Sequence, residues 1–292
     1  MSGNPLDRYW LVVLETVIVA FEVLLQKIWM VGLAPLEDIG SLSAKDDQNK
    51  EKVCIVTGPT SGIGKETAKE LHRRGWHVVL ACRNRLRGEL LAKEMDGASS
   101  KATLQVEILD LSSLKSVRAF VREWETRIKL PVHALINNAG IFSMSAPREE
   151  TEDGFESHLG TNYLGHFLLT ELMRPWLQKA RQETGMPARV VNVSSKLHRM
   201  GHIDQHDPHL EKRGNFNSLK AYSQSKLAQV MFAKECNRRY DGVVHCVSVH
   251  PGEVLTDVVR SLPGVMQRLY KLIMRLFLLT PSQGMYVCVR NK

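Results

Sequence analysis

Tyr222 and Lys226 stand four residues apart in Ala221-Tyr-Ser-Gln-Ser-Lys-Leu-Ala228, a stretch with the apolar spacing of a helix. Side chains four apart on a helix share a face, so an ammonium lies near a phenol and favours its ionised form. A free phenol titrates near pH 10, and bringing that value toward neutrality equips it as a general acid or base, for example where a proton moves as hydride adds to a carbonyl. By itself a Tyr-x-x-x-Lys pair is most often the surface of an amphipathic helix, so its meaning depends on what accompanies it.

Three other features accompany it. The apolar run Val53 to Thr57 passes directly into Gly58-Pro59-Thr60-Ser61-Gly62-Ile63-Gly64, after which a helical pattern begins. Glycines between a strand and a helix permit a tight turn and close approach to a pyrophosphate, which rests on the positive end of the helix. About twenty residues on, an NAD-binding chain would carry an acid for the adenosine ribose; here the second strand ends in Ala81-Cys82-Arg83-Asn84. An acid would repel a 2′-phosphate, whereas the planar guanidinium of Arg83 matches it, so NADP(H) is favoured over NAD(H). The third feature is the strand Val190-Val-Asn-Val-Ser-Ser195, which ends in a hydroxyl. At the carboxyl edge of a sheet, where such folds bind ligands, Ser195 could hydrogen-bond a substrate oxygen, while Ser194 would point to the other face.

These residues need a scaffold, and the chain alternates short β-branched runs with longer amphipathic stretches. Strands are expected at 53–57, 77–81, 104–108, 134–137, 190–193 and 243–249, and helices at 66–74, 114–128, 156–177 and 221–239. This alternation predicts an α/β fold, a doubly wound Rossmann-type parallel sheet flanked by helices.

With these motifs in order, the sequence resembles the short-chain dehydrogenase/reductase family over about residues 52 to 290. Asp110-Leu111, Asn137-Asn138-Ala139-Gly140, Asn162, Ser194-Ser195, Tyr222-Ser-Gln-Ser-Lys226 and Pro251-Gly252 carry the likeness beside the glycine turn. Within the family it most resembles the retinol-dehydrogenase-like branch, which includes the plant forever-young-type oxidoreductases. The resemblance implies a NADP(H)-dependent oxidoreductase acting on a lipophilic aldehyde, ketone or alcohol, retinoid-like, polyprenoid or another lipid. It implies that Tyr222 is the general acid/base, that Ser195 binds the substrate oxygen, and that Asn162 holds a water in the proton relay. Lys226 would meet the nicotinamide ribose and Thr256 the carboxamide or phosphates. Gly58, Ser61, Gly62, Ile63 and Gly64 would cradle the pyrophosphate, Asp110 and Leu111 would flank the adenine, Asn138, Ala139 and Gly140 would line the adenosine side, and Pro251-Gly252 would border the cofactor.

Two departures from that pattern stand out. Ser195 and Tyr222 lie 27 positions apart, longer than in many members and similar to the retinol-dehydrogenase-like branch. The sequence also ends at Lys292, shortly after Thr280-Pro281-Ser282-Gln283-Gly284, where the family continues into another helix and a final edge strand. The expectation is a carboxyl-terminally short domain without that strand. It motivates an alternative, a membrane-tethered, catalytically weak nucleotide-binding protein with an interaction or regulatory role.

Ahead of the domain, Trp10 to Pro35 is strongly apolar but interrupted by Glu15, Glu22 and Lys27. It makes a poor clean span; the polar residues fall in a stripe, as in a helix lying in a membrane interface or packed on a partner. The division expected is residues 1–36 as a membrane-associating helix, 37–51 as a linker, and 52–292 as the NADP(H)-binding domain. Val265 to Leu279 is apolar apart from Arg268, Lys271 and Arg275, which share one stripe. That pattern suits a lid over the substrate site and equally a membrane surface.

The formal net charge of +8 suits an anionic membrane surface or a phosphate-rich ligand. Nucleic acid is not an expected partner, since basic residues are dispersed and no reading helix or zinc-finger spacing occurs. The partners expected are a small lipophilic substrate and a lipid surface, with homodimerisation open; the location expected is endoplasmic reticulum or lipid droplet. Five widely spaced cysteines in apolar runs indicate buried free thiols in a reducing compartment. His198, His202, His206 and His209 match no standard ligand spacing, so no metal is expected and the stretch reads as a polar loop.

Overall fold

The computed structural model describes residues 52–96, 102–142, 147–212, 214–252 and 279–290. Six parallel strands form one sheet in the order β3-β2-β1-β4-β5-β6. They are β1 (Val53–Thr57), β2 (His77–Cys82), β3 (Leu104–Ile108), β4 (Ala134–Asn137), β5 (Ala188–Val193) and β6 (Val244–Val249). The inner strands are covered on both faces; β1, Val-Cys-Ile-Val-Thr, is buried along its whole length, which is why it reads as a continuous apolar run.

Between strands the chain forms α1 (Gly62–Arg73), α2 (Arg85–Asp96), α3 (Leu114–Glu123, running on through a π turn to Ile128), α4 (Gly165–Thr184) and α5 (Ser218–Arg239). Near the end of the sequence lies α6 (Pro281–Arg290). One face of the sheet packs Phe120 and Trp124 of α3, Leu169, Met173 and Leu177 of α4, and Phe232 of α5 over Ile55, Leu135 and Val190. The other packs Ala68 and Leu71 of α1, Leu91 and Met95 of α2, and Met285 of α6 over Val56, Leu80 and Ile136. The chain thus leaves β1 toward one face and β4 toward the other, and the crevice at the carboxyl ends of these neighbours is where doubly wound sheets bind ligands.

All six expected strands are present, to within two residues at their ends. Two helices went unforeseen. The charged stretch giving α2 shows little apolar periodicity, because its inner face rests partly on Gly88, which meets β-sheet side chains directly: a Cβ there would sit 2.6 Å from Val106 and 2.8 Å from Cys82. The second, α6, packs on α1. Residues 1–51, the basic stripe within 265–279 and Thr256 lie outside the described residues, apart from Leu279, and with them the expectations attached to those segments. Among the described residues no helix is long and apolar enough to cross a membrane. Cys54, Cys82, Cys236 and Cys246 are free and buried.

Candidate active site

The glycine turn at the end of β1 is built by a lock between β1 and β4. The Thr57 hydroxyl accepts from the amides of Asn138 at 2.9 Å and Ala139 at 3.0 Å. Asn138 returns its own side-chain amide to the Thr57 carbonyl at 2.9 Å and the Gly58 carbonyl at 3.3 Å. Gly58 and Gly62 have φ of +61° and +56°, which an L side chain rarely adopts. At Gly64 a Cβ would lie 2.3 Å from Asn138 Nδ2 and 2.4 Å from the Gly58 carbonyl oxygen, so only glycine fits. Beyond the turn, α1 starts at Gly62 with no acidic residue in its own first turn, so its positive end faces the turn without a carboxylate from the helix itself. Together these make a tight glycine turn leading into a helix N-terminus, with Ser61, Gly62, Ile63 and Gly64 at the start of α1.

Arg83 follows β2 immediately and is exposed. After β3, Asp110 turns its carboxylate back on Ser112, accepting from that residue's amide at 2.9 Å and its hydroxyl at 2.7 Å. Leu111 is buried, its carbonyl against Gly165 at the start of α4. Asn138 spends its side chain holding the glycine turn. Gly140, by contrast, abuts the other half of the site, where a Cβ would come 3.3 Å from Asn162 Oδ1 and 3.6 Å from Lys226 Nζ. Pro251 is buried after β6, and Gly252 takes a φ of +87°.

Tyr222 and Lys226 sit in the amino-terminal half of α5, a helix capped by Asn217, whose side chain accepts from the amides of Leu219 and Lys220. The Lys226 amino group is wholly buried and lies 5.5 Å from the centre of the Tyr222 ring. It does not extend to solvent; it donates to the Val193 carbonyl at 2.8 Å and to Gln229 Oε1 at 3.1 Å. Burial brings its pKa down from 10.5 to about 7, so the cation beside the phenol is full on the acid side of neutrality, half-populated near pH 7 and lost on the alkaline side. The Tyr222 ring is flanked by Phe142, with centroids 4.5 Å apart, and meets His158 edge to face at 6.3 Å. His158 is fixed by the buried carboxylate of Glu156, 2.8 Å from its Nδ1. Burial opposes ionisation of Glu156, but the His158 side chain and the amides of His158 and Leu159 outweigh it and hold the carboxyl below its ordinary range.

Ser195 lies two residues beyond β5 and caps a 3₁₀ helix, Lys196–Met200, its hydroxyl oxygen accepting from the Leu197 amide at 3.2 Å. A hydroxyl that accepts in this way keeps its proton to donate. Ser194 points away and donates to the Lys226 carbonyl at 2.9 Å, which ties the end of β5 to α5. The 3₁₀ helix packs on α5: a Cβ on Gly201 would meet the Ser223 carbonyl at 2.6 Å and Leu227 Cβ at 2.8 Å. Ser195 and Tyr222 are therefore carried by two elements in direct contact. The histidines that follow go to separate tasks: His198 Nδ1 pairs with the Ser195 carbonyl, and His209 stacks on Phe155.

Asn162 lies in a π turn, Leu159–Leu164, that leads into α4. Its side chain is fully engaged, accepting from the Ile141 amide at 2.8 Å and donating to the Ile141 carbonyl at 3.1 Å and the Ser225 hydroxyl at 3.0 Å. Its main-chain carbonyl accepts from Gln229 Nε2 and pairs with His166 Nδ1, both at 2.9 Å. Tyr222, Lys226, Ser195, Asn162, Gly140 and the glycine turn are thus assembled around the carboxyl edge of β1, β4 and β5.

Thr57, Phe142, His158, His166 and Gln229 also belong to this assembly and were not singled out from sequence. Gln229 had a signal: Tyr222, Lys226 and Gln229 follow i, i+4, i+7, one face of a helix. The others had none, since Thr57 meets His166, and Phe142 and His158 meet Tyr222, across long stretches of sequence, and His166 meets Asn162 only through the π turn.

The comparisons with known proteins agree with this architecture. A sequence model of the short chain dehydrogenase family matches residues 52–207. Human retinol dehydrogenase 11 is 45% identical over 234 residues, spanning 80% of this chain and 70% of that protein. Mouse retinol dehydrogenase 12 is 44% identical over 223 residues, 76% of this chain and 67% of that protein. The Arabidopsis thaliana dehydrogenase/reductase SDR family member FEY is 39% identical over 238 residues, 79% of this chain and 61% of that protein. Among solved structures, an uncharacterized protein from Mycobacterium paratuberculosis is 38% identical with a TM-score of 0.58 over 75% of each chain. An alcohol dehydrogenase from the archaeon Thermococcus sibiricus, complexed with 5-hydroxy-NADP, has a TM-score of 0.60 over 80% of this chain and 87% of that one; at 21% identity it speaks to the fold. The chain belongs to the short-chain dehydrogenase family, a family of nicotinamide-dependent oxidoreductases, and is related within it to the retinol dehydrogenases.

Proposed function

We propose that this protein is an NADP(H)-dependent oxidoreductase that interconverts a lipophilic aldehyde or ketone and the corresponding alcohol, with Tyr222 as general acid/base. The observation that carries the reading is the buried Lys226 amino group 5.5 Å from the Tyr222 ring, on a helix packed against the segment that presents Ser195.

Bound nicotinamide would supply or accept the hydride. The chain's residues do the rest. Gly58, Ser61, Gly62, Ile63 and Gly64 hold the pyrophosphate, and the planar guanidinium of Arg83 takes the 2′-phosphate. Ser195 donates to the substrate oxygen, and Tyr222 transfers its phenolic proton to that oxygen during reduction or removes it during oxidation. Lys226, in its protonated form, stabilises the phenolate left behind. Asn162 fixes Ile141, and with it Phe142, whose ring against Tyr222 gives the reacting centre an apolar wall suited to a lipophilic substrate. In this reading residues 1–36 attach the domain to a lipid surface, and 37–51 tether it.

The test is NADPH and NADH consumption by the purified full chain with all-trans-retinal, long-chain and polyprenoid aldehydes. NADPH-dependent reduction of at least one lipophilic aldehyde is expected; consumption of neither cofactor with any of them would set the reading aside.

A further inference from the structure

Lys226 and Asn162 are joined directly by one side chain. Gln229, 1% exposed, lies on the same face of α5 one turn beyond Lys226. Its Oε1 accepts from Lys226 Nζ at 3.1 Å, and its Nε2 donates to the Asn162 carbonyl at 2.9 Å. The amide can point only this way, because the ammonium has protons and no lone pair while the carbonyl has lone pairs and no proton. Gln229 also lies within a buried polar tier: Asn137 donates to Asn192 at 2.8 Å and to Thr170 at 3.1 Å, and Asn192 lies against the Gln229 carbonyl at 3.5 Å. Asn192 reaches the main-chain carbonyl, so the tier anchors this turn of α5, from which the Gln229 side chain extends to its two partners.

With Gln229 and His166 both on it, the Asn162 carbonyl has each lone pair taken by a protein donor. The Lys226 ammonium has two of its three protons committed, to Val193 and Gln229. We propose that Gln229 is a positioning residue for the hydride-transfer site, its amide serving as the direct clamp between Lys226 and Asn162 that keeps the lysine protonated and fixed beside Tyr222. This rests on the oxidoreductase reading for its consequence, but the clamp itself is a property of the chain and can be measured without turnover.

The clamp acts through hydrogen bonding to the charged form, which opposes the desolvation lowering the Lys226 pKa. The other titratable groups facing this amino group among the described residues are Tyr222, from its own helix, and His166, from α4, whose imidazole the Lys226 charge helps keep neutral. Neither is a carboxylate, so Gln229 supplies a side-chain acceptor that no anion replaces.

The experiment follows the Lys226 side-chain resonance by NMR in the full chain without cofactor, assigned through its loss in Lys226→Met. Gln229→Met, equal in shape but without either bond, should lower the Lys226 pKa by about one pH unit. Gln229→Glu, which keeps the acceptor and adds negative charge, should raise it. In turnover, Gln229→Met should move the rising limb of the pH profile for alcohol oxidation to higher pH, because fewer cations remain to favour the phenolate. A folded Gln229→Met whose Lys226 titrates as in the wild type overturns the proposal. Should that variant not fold, Gln229→Glu decides alone: an unchanged or lower lysine pKa overturns the proposal. If the lysine follows Gln229 in both variants while the wild type reduces no aldehyde, the clamp stands and the catalytic reading falls.

Discussion

The hydroxyl of Thr57, the last residue of β1, lies 2.9 Å from Nε2 of His166, and Nδ1 of the same imidazole pairs with the Asn162 carbonyl. Since the carbonyl can only accept, Nδ1 carries the proton and Nε2 accepts from Thr57. One buried, neutral histidine therefore connects the nucleotide turn to the π turn that carries Asn162.

That neutrality sets a pH dependence. Burial, reinforced by the nearby Lys226 charge and opposed by the bond to Asn162, brings the His166 pKa from 6.5 to about 4. Between these values the unfolded chain binds a proton that the folded chain refuses, so stability falls as pH drops from about 6.5 to about 4. The loss is on the order of 3 kcal/mol by linkage. Denaturant unfolding at pH 7 and pH 4.5 should show this difference, and His166→Gln should reduce it. Glu156, with its carboxyl held low, adds a loss in the same direction only at still lower pH, as that carboxyl is protonated. An acid sensitivity unchanged in His166→Gln would place its origin elsewhere.

Arg83 gives a prediction on cofactor choice. Arg83→Asp exchanges the proposed 2′-phosphate partner for a charge that repels phosphate, and should weaken NADPH binding by about 10- to 100-fold while leaving NADH binding close to wild type. Fluorescence titration with both cofactors checks it. Equal losses for the two would remove Arg83 from the discrimination.

The glycines separate a structural from a catalytic effect. Gly64→Ala forces its Cβ against Asn138 and the Gly58 carbonyl and should cost about 1–3 kcal/mol of stability together with dinucleotide binding. Gly140→Ala meets Asn162 and Lys226 at ordinary or slightly tight distances, so it should fold with nearly wild-type stability and lose turnover instead. Thermal unfolding and kcat measured side by side distinguish them; comparable melting losses would contradict the assignment.

How much of this was legible beforehand follows from where the information lies. The strands and the glycine turn were readable because both are local: burial on two faces demands continuous apolar runs, and a tight turn into a helix demands glycine. Tyr222 and Lys226 were readable because helical spacing fixes their relation. What Lys226 bonds to was not, since Val193 and Gln229 reach it only in the folded sheet. Its amino group serves the phenol by proximity, without the extended reach that spacing suggests. Asn162 was found by resemblance, but its engagement on every side depends on a π turn that no local pattern announces. Gly140 reads as part of an adenosine-side run, yet the backbone turns it toward Lys226.

The most direct measurement is single-turnover hydride transfer from NADPH to a lipophilic aldehyde by the wild type and by Tyr222→Phe, alongside NADPH binding to each. A general acid contributes about 10²- to 10⁴-fold, so the phenylalanine variant should lose at least about 100-fold in the transfer rate while binding NADPH within a few-fold of wild type. Equal transfer rates in the two proteins would contradict the account.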